Sequence, residues 1–124
     1  MMNIISIAIG GAAGSLCRYG MSNGIYFLFG RDFPYGTLVV NILGSIIMGI
    51  AYTLMIERFD VTPEWRAGII IGLLGAFTTF STFSIETLNL IEAGENLKAV
   101  FNILLSVTLC VSGCWLGMIL GRQI

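Results

Sequence analysis

Gly75 to Phe83 reads GAFTTFSTF, a cluster of hydroxyl groups and phenylalanine rings inside the charge-free run 67–85. The three phenylalanines recur every third position, and four hydroxyl residues lie between them. Adjacent β-branched threonines close to a glycine are weak helix formers. We therefore predict that a helix passing through this run is broken near residues 75–79.

The rest of the chain is as apolar as this stretch. It has 124 residues, of which 56% are hydrophobic and 10% are charged, and its mean hydropathy is +0.93. Soluble domains carry about 25% charged residues. The composition therefore excludes an ordinary soluble domain and indicates an integral membrane protein embedded in a lipid bilayer.

Long intervals between charged residues mark the membrane spans. Three intervals contain no charge and a fourth contains only Arg18; they cover residues 33–56, 67–85, 99–121 and 1–30. A membrane-spanning helix needs about 20 mainly apolar residues. We predict one all-α domain, residues 1–124, with four transmembrane helices at about 3–28, 34–56, 64–91 (broken near 75–79) and 97–121.

Other classes of function lack their sequence signatures. A net charge of −1 without a basic cluster argues against nucleic-acid binding. The three cysteines lie within predicted spans without C-x-x-C spacing, and there is no histidine, so we expect neither a disulfide framework nor a zinc site. No phosphate-binding loop of the form G-x-x-x-x-G-K-[ST] occurs, and we expect no enzymatic activity.

The basic residues give almost no signal for orientation in the membrane, which Lys and Arg near the span ends usually set. Arg58, Arg66 and Arg122 fall on one side, and Arg31 and Lys98 fall on the other. One hypothesis is that both orientations occur and pair about a two-fold axis in the membrane plane, as inverted repeats do. The alternative is a weakly biased chain that something else orients. Four spans are few for lining a pathway, which favours a homo-oligomer.

Polar residues within the spans are candidates for function. A charge in a span costs about 2.5–3.5 kcal/mol, so Arg18 is expected to face protein or a wet vestibule, with snorkelling as the alternative. Helix 2 carries a stripe of polar and small residues every four positions, on one face: Thr37, Asn41, Ser45, Gly49 and Thr53. Hydrogen bonding between helices suffices for Thr37 or Ser45. Asn41, a bulkier amide with two donors, is interpreted as functional.

The central cluster suits ion chemistry. A helix break exposes carbonyl groups, which can hold dehydrated monovalent cations. Beyond the break, Phe80 and Phe83 are one helical turn apart, and the edge of an aromatic ring is electropositive. With donors from Asn41, Ser81 and Thr82, this combination favours a small anion that must lose water to pass. Ordinary core packing of the phenylalanines is the alternative.

Three stretches carry a resemblance to a known family. They are GAFTTFSTFS with Glu86 close behind, GGAAGSLCRY containing Arg18, and GTLVVNILGS containing Asn41. Together they resemble the Fluc (CrcB) fluoride channels, and the match covers all four predicted helices. The resemblance implies a passive channel that exports cytoplasmic fluoride across the inner (plasma) membrane. It also implies an antiparallel dual-topology homodimer with two fluoride pathways and a central structural sodium ion.

The resemblance also implies roles for individual residues. Phe80 and Phe83 resemble the paired ring-edge fluoride sites, and Asn41 resembles the pore-facing donor. Gly75 and Thr78 resemble the backbone-carbonyl ligands of sodium.

The remaining roles follow the same comparison. Arg18 resembles the arginine near the vestibule. A polar track along helices 3 and 4 would consist of Ser81, Thr82, Ser84, Glu86 and Ser106. Cys110 and Cys114 continue the helix 4 line where the family would be expected to have hydroxyls, so their role is left open.

Two other functions fit part of the pattern. A small multidrug-resistance-type antiporter would match in length, helix count and charge balance. Transporters of that type, however, resemble one another in having a glutamate within helix 1. Here helix 1 contains Arg18 and no carboxylate, which disfavours cation transport. A structural membrane protein without transport activity would explain the small residues but not Arg18, Asn41 and Glu86 within the spans.

Overall fold

The computed structural model describes the whole chain, Met1–Ile124, and its regular structure is entirely helical. Four helical spans are long and apolar enough to cross a membrane: Met2–Phe29, Tyr35–Arg58, Pro63–Glu92 and Asn96–Gln123. The prediction of an all-α membrane protein with four spans is confirmed. Each observed end differs by only one or two residues from the predicted one.

We number five helices along these spans. The first two are α1 (Met2–Phe29) and α2 (Tyr35–Arg58). The third span contains α3 (63–77) and α4 (Phe80–Glu92), and the last is α5 (Asn96–Gln123).

Two residues separate α3 from α4. Thr78 has φ −89° and ψ 158°, and Thr79 has φ −152° and ψ 116°, so both have extended backbone. The Thr79 hydroxyl accepts a hydrogen bond from the Thr82 amide at 3.1 Å and thereby caps the first turn of α4. This local hydrogen bond stabilises a new helix start at the point where β-branched residues weaken the old helix.

Parts of α2 and α3 are wider than an α-helix. Thr53–Arg58 and Ala67–Leu74 form π-helical turns, which are rare and which residue periodicity did not predict. The Ala67–Leu74 segment is the part of α3 that packs most extensively against α1.

Glycines allow the helices to approach closely. A Cβ on Gly14 of α1 would overlap the carbonyl oxygen of Leu73, and a Cβ on Gly117 of α5 would overlap that of Ile46 in α2. Small residues at helix contacts are how membrane helices gain packing energy without a hydrophobic driving force. These contacts fix α1 on α3 and α2 on α5, and so position the residues between them.

One end of the bundle carries a charged cluster. Arg122 donates from Nε and Nη2 to the two carboxylate oxygens of Glu57, each at 3.1 Å, and Arg58 donates to the Arg122 carbonyl at 2.7 Å. The end of α2 and the C-terminal end of α5 therefore lie on the same face of the membrane domain, as the charge count assumed.

Candidate functional site

A cavity of ≈340 Å³ lies between α2, α4, α5 and the two residues that separate α3 from α4. Four residues predicted to lie in the fluoride pathway line it: Asn41, Phe80, Phe83 and Ser106. Thr78 and Thr79 form part of the same wall, whereas no charged side chain contributes to it.

Asn41 forms a two-way hydrogen bond with the backbone of Thr79. Its Nδ2 donates to the Thr79 carbonyl at 3.0 Å, and its Oδ1 accepts from the Thr79 amide at 2.8 Å. The side-chain amide thus satisfies both backbone groups of a residue that has left the helix. An asparagine carries two amide hydrogens, so one N–H of Asn41 stays available to the cavity.

Two backbone carbonyls have lost their usual helical donors. In a continuous helix the Thr79 amide would donate to Gly75, and the Thr82 amide would donate to Thr78. Here the Thr79 amide donates to Asn41 and the Thr82 amide donates to the Thr79 hydroxyl. Side chains have therefore diverted both donors, and the affected carbonyls are the two that the family resemblance assigns to sodium.

The two phenylalanines of α4 form a pair at the cavity. The ring centroids of Phe80 and Phe83 are 5.3 Å apart, with 47° between the ring planes. Phe80 is 77% exposed, and Phe83 is half-buried. Phe77 is 7% exposed, belongs to α3 and does not line the cavity. The three rings are equally spaced in the sequence, but Phe77 is buried in α3, whereas Phe80 and Phe83 line the cavity.

Arg18 is half-buried and bonds to the end of α3. Its Nε donates to the Ala76 carbonyl at 3.0 Å. A cation at the C-terminal end of a helix also interacts favourably with the helix dipole. The other side of Arg18 borders an open pocket of ≈310 Å³ lined by further polar residues of α1: Ser15, Tyr19, Ser22 and Asn23.

Glu86 lies in a different environment from the phenylalanine pair. Thr37 Oγ1 donates to Glu86 Oε1 at 2.6 Å, and the Tyr26 hydroxyl donates to Oε2 at 3.0 Å. The carboxylate borders a second cavity of ≈280 Å³, which Arg31 and Asn89 also line. Residues of the predicted polar track therefore lie at two separate cavities, Ser106 at the first and Glu86 at the second.

The hydroxyls of α4 are mostly engaged locally and do not line the first cavity. Thr82 and Ser81 have their hydroxyls 3.0 Å and 3.3 Å from that of Thr79. Ser84 donates to the Phe80 carbonyl at 2.8 Å and is exposed.

Some residues at these sites were not singled out from the sequence. Tyr26 lies 60 positions from Glu86, so no spacing pattern relates them. Thr37 stood in the polar stripe of α2, where it was interpreted as a hydrogen-bonding residue between helices; the structure shows such a bond, but the acceptor, Glu86, was not predicted. Thr79 could have been found from its residue type, because threonine is one of the preferred N-cap residues.

The sequence is similar to a family of known proteins. The profile of the family described as "CrcB-like protein, Camphor Resistance (CrcB)" matches residues 5–118. The "Fluoride-specific ion channel FluC" of Coxiella burnetii (strain Dugway) is 52% identical over 124 residues, covering 99% of this chain and 100% of that protein. The protein of the same name from Geobacter sulfurreducens is 45% identical over 124 residues, covering 100% of both chains.

A third relative differs in length. The "Fluoride-specific ion channel FluC" of Methylococcus capsulatus is 52% identical over 123 residues, which cover 99% of this chain but 54% of that protein. The present chain thus spans about half of this relative and the full length of the other two. The resemblance stated from the sequence motifs is confirmed, and the chain belongs to the CrcB-like protein family.

Proposed function

We propose that this chain is a fluoride-specific ion channel that lets cytoplasmic fluoride leave the cell passively. It is a multi-pass inner-membrane protein with four spans, and its full-length relatives carry the name of that activity. The observation that carries the proposal is the ≈340 Å³ cavity, which the Phe80–Phe83 pair and Asn41 line together.

The chemistry of the cavity suits a small anion that loses water. Asn41 and Ser106 offer N–H and O–H donors, and Phe80 and Phe83 offer electropositive ring edges. Conduction needs sites that replace hydration without trapping the ion. No lysine or arginine lines the cavity, so several weak interactions take the place of one strong charge.

The channel is proposed to work as an antiparallel homodimer with two fluoride pathways. Phe80 is 77% exposed in the single chain, and the polar side of α1 around Arg18 opens outward. Polar groups at membrane depth face protein or water rather than lipid. A second copy would cover Phe80 and leave Arg18 beside a water-filled vestibule between the copies, and the balance of basic residues permits that copy to insert upside down.

A structural sodium ion fits the backbone between α3 and α4. The Gly75 and Thr78 carbonyls have lost their helical donors, and inward-facing carbonyls are suitable ligands for a dehydrated monovalent cation. Two carbonyls from each protomer would supply four ligands on the dimer axis. The bound ion would neutralise the carbonyl dipoles that meet there and would so stabilise a helix interruption within the membrane.

The polar residues beyond the cavity are proposed to continue the pathway. Glu86 and the ≈280 Å³ cavity beside it would form one mouth, and the hydroxyls of Ser81, Thr82 and Ser84 would lie between the mouth and the phenylalanines. Arg18 would border the aqueous vestibule. A proton-coupled antiporter is not proposed, because α1 contains no carboxylate.

The decisive experiment is fluoride efflux from liposomes that contain the purified protein, recorded with a fluoride electrode. Chloride efflux from the same preparation and efflux from protein-free liposomes serve as controls. Rapid fluoride release with negligible chloride release is expected. Absence of fluoride release from well-incorporated protein would overturn the proposal. Chemical cross-linking in the bilayer, with and without sodium, tests the dimer and its ion separately.

A further inference from the structure

Two thiols and a thioether line the same cavity as Asn41. Cys110 and Cys114 of α5 and Met48 of α2 all line it, and both cysteines are free and half-buried. Residues four apart on a helix have Cβ atoms about 5–6 Å from each other, so one ion can bridge the two sulfur atoms. The backbones are close as well, because a Cβ on Gly49 would overlap the Cys114 carbonyl oxygen.

The donor set is selective by its chemistry. Thiolate and thioether sulfur favour soft ions such as Cu(I), whereas carboxylate and carbonyl oxygen favour Mg²⁺ and Ca²⁺. Neither a carboxylate nor an imidazole lines this cavity. The arrangement thus suits a monovalent thiophilic cation with low coordination number.

We propose that Cys110, Cys114 and Met48 form a binding site for a soft monovalent metal ion, Cu(I) or its analogue Ag(I), and that its occupation blocks the cavity. Metal binding requires thiolates, so each thiol releases one proton to water as its sulfur–metal bond forms. Two thiolates and one monovalent cation leave a net charge of −1. The bound ion would therefore block the cavity in two ways. It fills space, and the net negative charge of the site repels an anion in surroundings of low dielectric constant.

The consequence for transport rests on the proposed fluoride pathway, but metal binding does not. Cys17, the remaining cysteine, is exposed on α1 and does not line the cavity. Cys17→Ser is thus a matched control, since it removes a thiol without changing the site.

The transport test adds silver nitrate to proteoliposomes during fluoride efflux in chloride-free buffer, because silver chloride is insoluble and silver fluoride is soluble. Each variant is compared with its own silver-free rate. Wild type and Cys17→Ser are expected to slow by about tenfold or more, with recovery on adding dithiothreitol. Cys110→Ser/Cys114→Ser is expected to be insensitive, since a hydroxyl is a poor ligand for a soft ion. Equal inhibition of the double variant would overturn the site.

The binding test uses detergent-solubilised Cys17→Ser protein and needs no transport. Silver should protect both remaining thiols from a maleimide at one ion per chain and release two protons. Met48→Leu should weaken this protection without abolishing it. Full maleimide labelling at saturating silver would refute the binding site. Protection without inhibition in a conducting channel would refute the block alone, and protection without any fluoride efflux would count against the proposed pathway instead.

Discussion

Arg18 Nε donates a hydrogen bond to the carbonyl oxygen of Ala76 at 3.0 Å, joining residues 58 positions apart. Ala76 lies in the last turn of α3, two residues before the first of the two extended threonines. A half-buried arginine in a membrane span therefore has a defined structural partner, and it ties α1 to the backbone on which the cavity is built. Snorkelling toward the surface is not needed to explain it.

Replacing Arg18 by methionine should destabilise the domain. Methionine fills similar space but removes the charge and the N–H, and hydrogen bonds to charged groups contribute about 1.5–3 kcal/mol. We expect a loss of that size in the free energy of unfolding, measured by denaturant titration in detergent. Arg31→Met is the control, because Arg31 is exposed and reaches only Asn23 and the Tyr26 ring. Equal losses in the two variants would contradict the role of the Ala76 bond.

Asn41→Leu should impair both stability and conduction. It leaves the amide of Thr79 unpaired and removes one donor to its carbonyl. An unsatisfied buried polar group costs about 1–3 kcal/mol. Asn41→Asp keeps the acceptor for the Thr79 amide but places a carboxylate opposite its carbonyl. We expect fluoride efflux to fall in both variants, and we expect Asn41→Leu to lose more stability than Asn41→Asp. Ser45→Ala, one turn further along α2, should change stability much less.

Phe80→Ile and Phe83→Ile should each reduce fluoride efflux by about tenfold, which corresponds to about 1.4 kcal/mol in barrier height. Isoleucine preserves apolar bulk but lacks the electropositive ring edge. Cross-linking should show unchanged dimer assembly. Phe101→Ile is the control, since Phe101 is exposed on α5 outside the cavity. Unchanged efflux in both cavity variants would exclude the ring-edge role.

Local sequence features predicted the architecture but not the partners of its polar groups. Charge spacing located the four spans, because lipid admits few charges, and the polar stripe drew attention to Asn41. The bonds from Arg18 to Ala76 and from Tyr26 to Glu86 link residues 58 and 60 positions apart. Such contacts depend on how the helices pack, which periodicity along one helix does not encode. The π-helical turns escaped prediction for the same reason.

Tyr26 and Glu86 should be energetically coupled. Tyr26→Phe removes one of the two hydroxyls that donate to the carboxylate, and Glu86→Gln removes the negative charge. A double-mutant cycle in the free energy of unfolding should give a coupling of about 1 kcal/mol or more. The matched cycle pairs Glu86→Gln with Tyr52→Phe, which lies in α2 far from Glu86 and lines neither cavity, and should be additive within about 0.5 kcal/mol. Additivity in both cycles would show that the negative charge of Glu86 does not strengthen the hydrogen bond from Tyr26.

Gly14→Ala should be far more harmful than Gly20→Ala, although both change a glycine of α1 by one methyl group. The added Cβ at position 14 would overlap the Leu73 carbonyl oxygen, whereas position 20 has nothing within 4 Å. Overpacking costs about 1–3 kcal/mol, and alanine at an open helical position gains up to about 1 kcal/mol over glycine. Thermal unfolding in detergent should therefore shift in opposite directions. If Gly14→Ala were as stable as wild type, α1 and α3 could not be packed backbone to backbone.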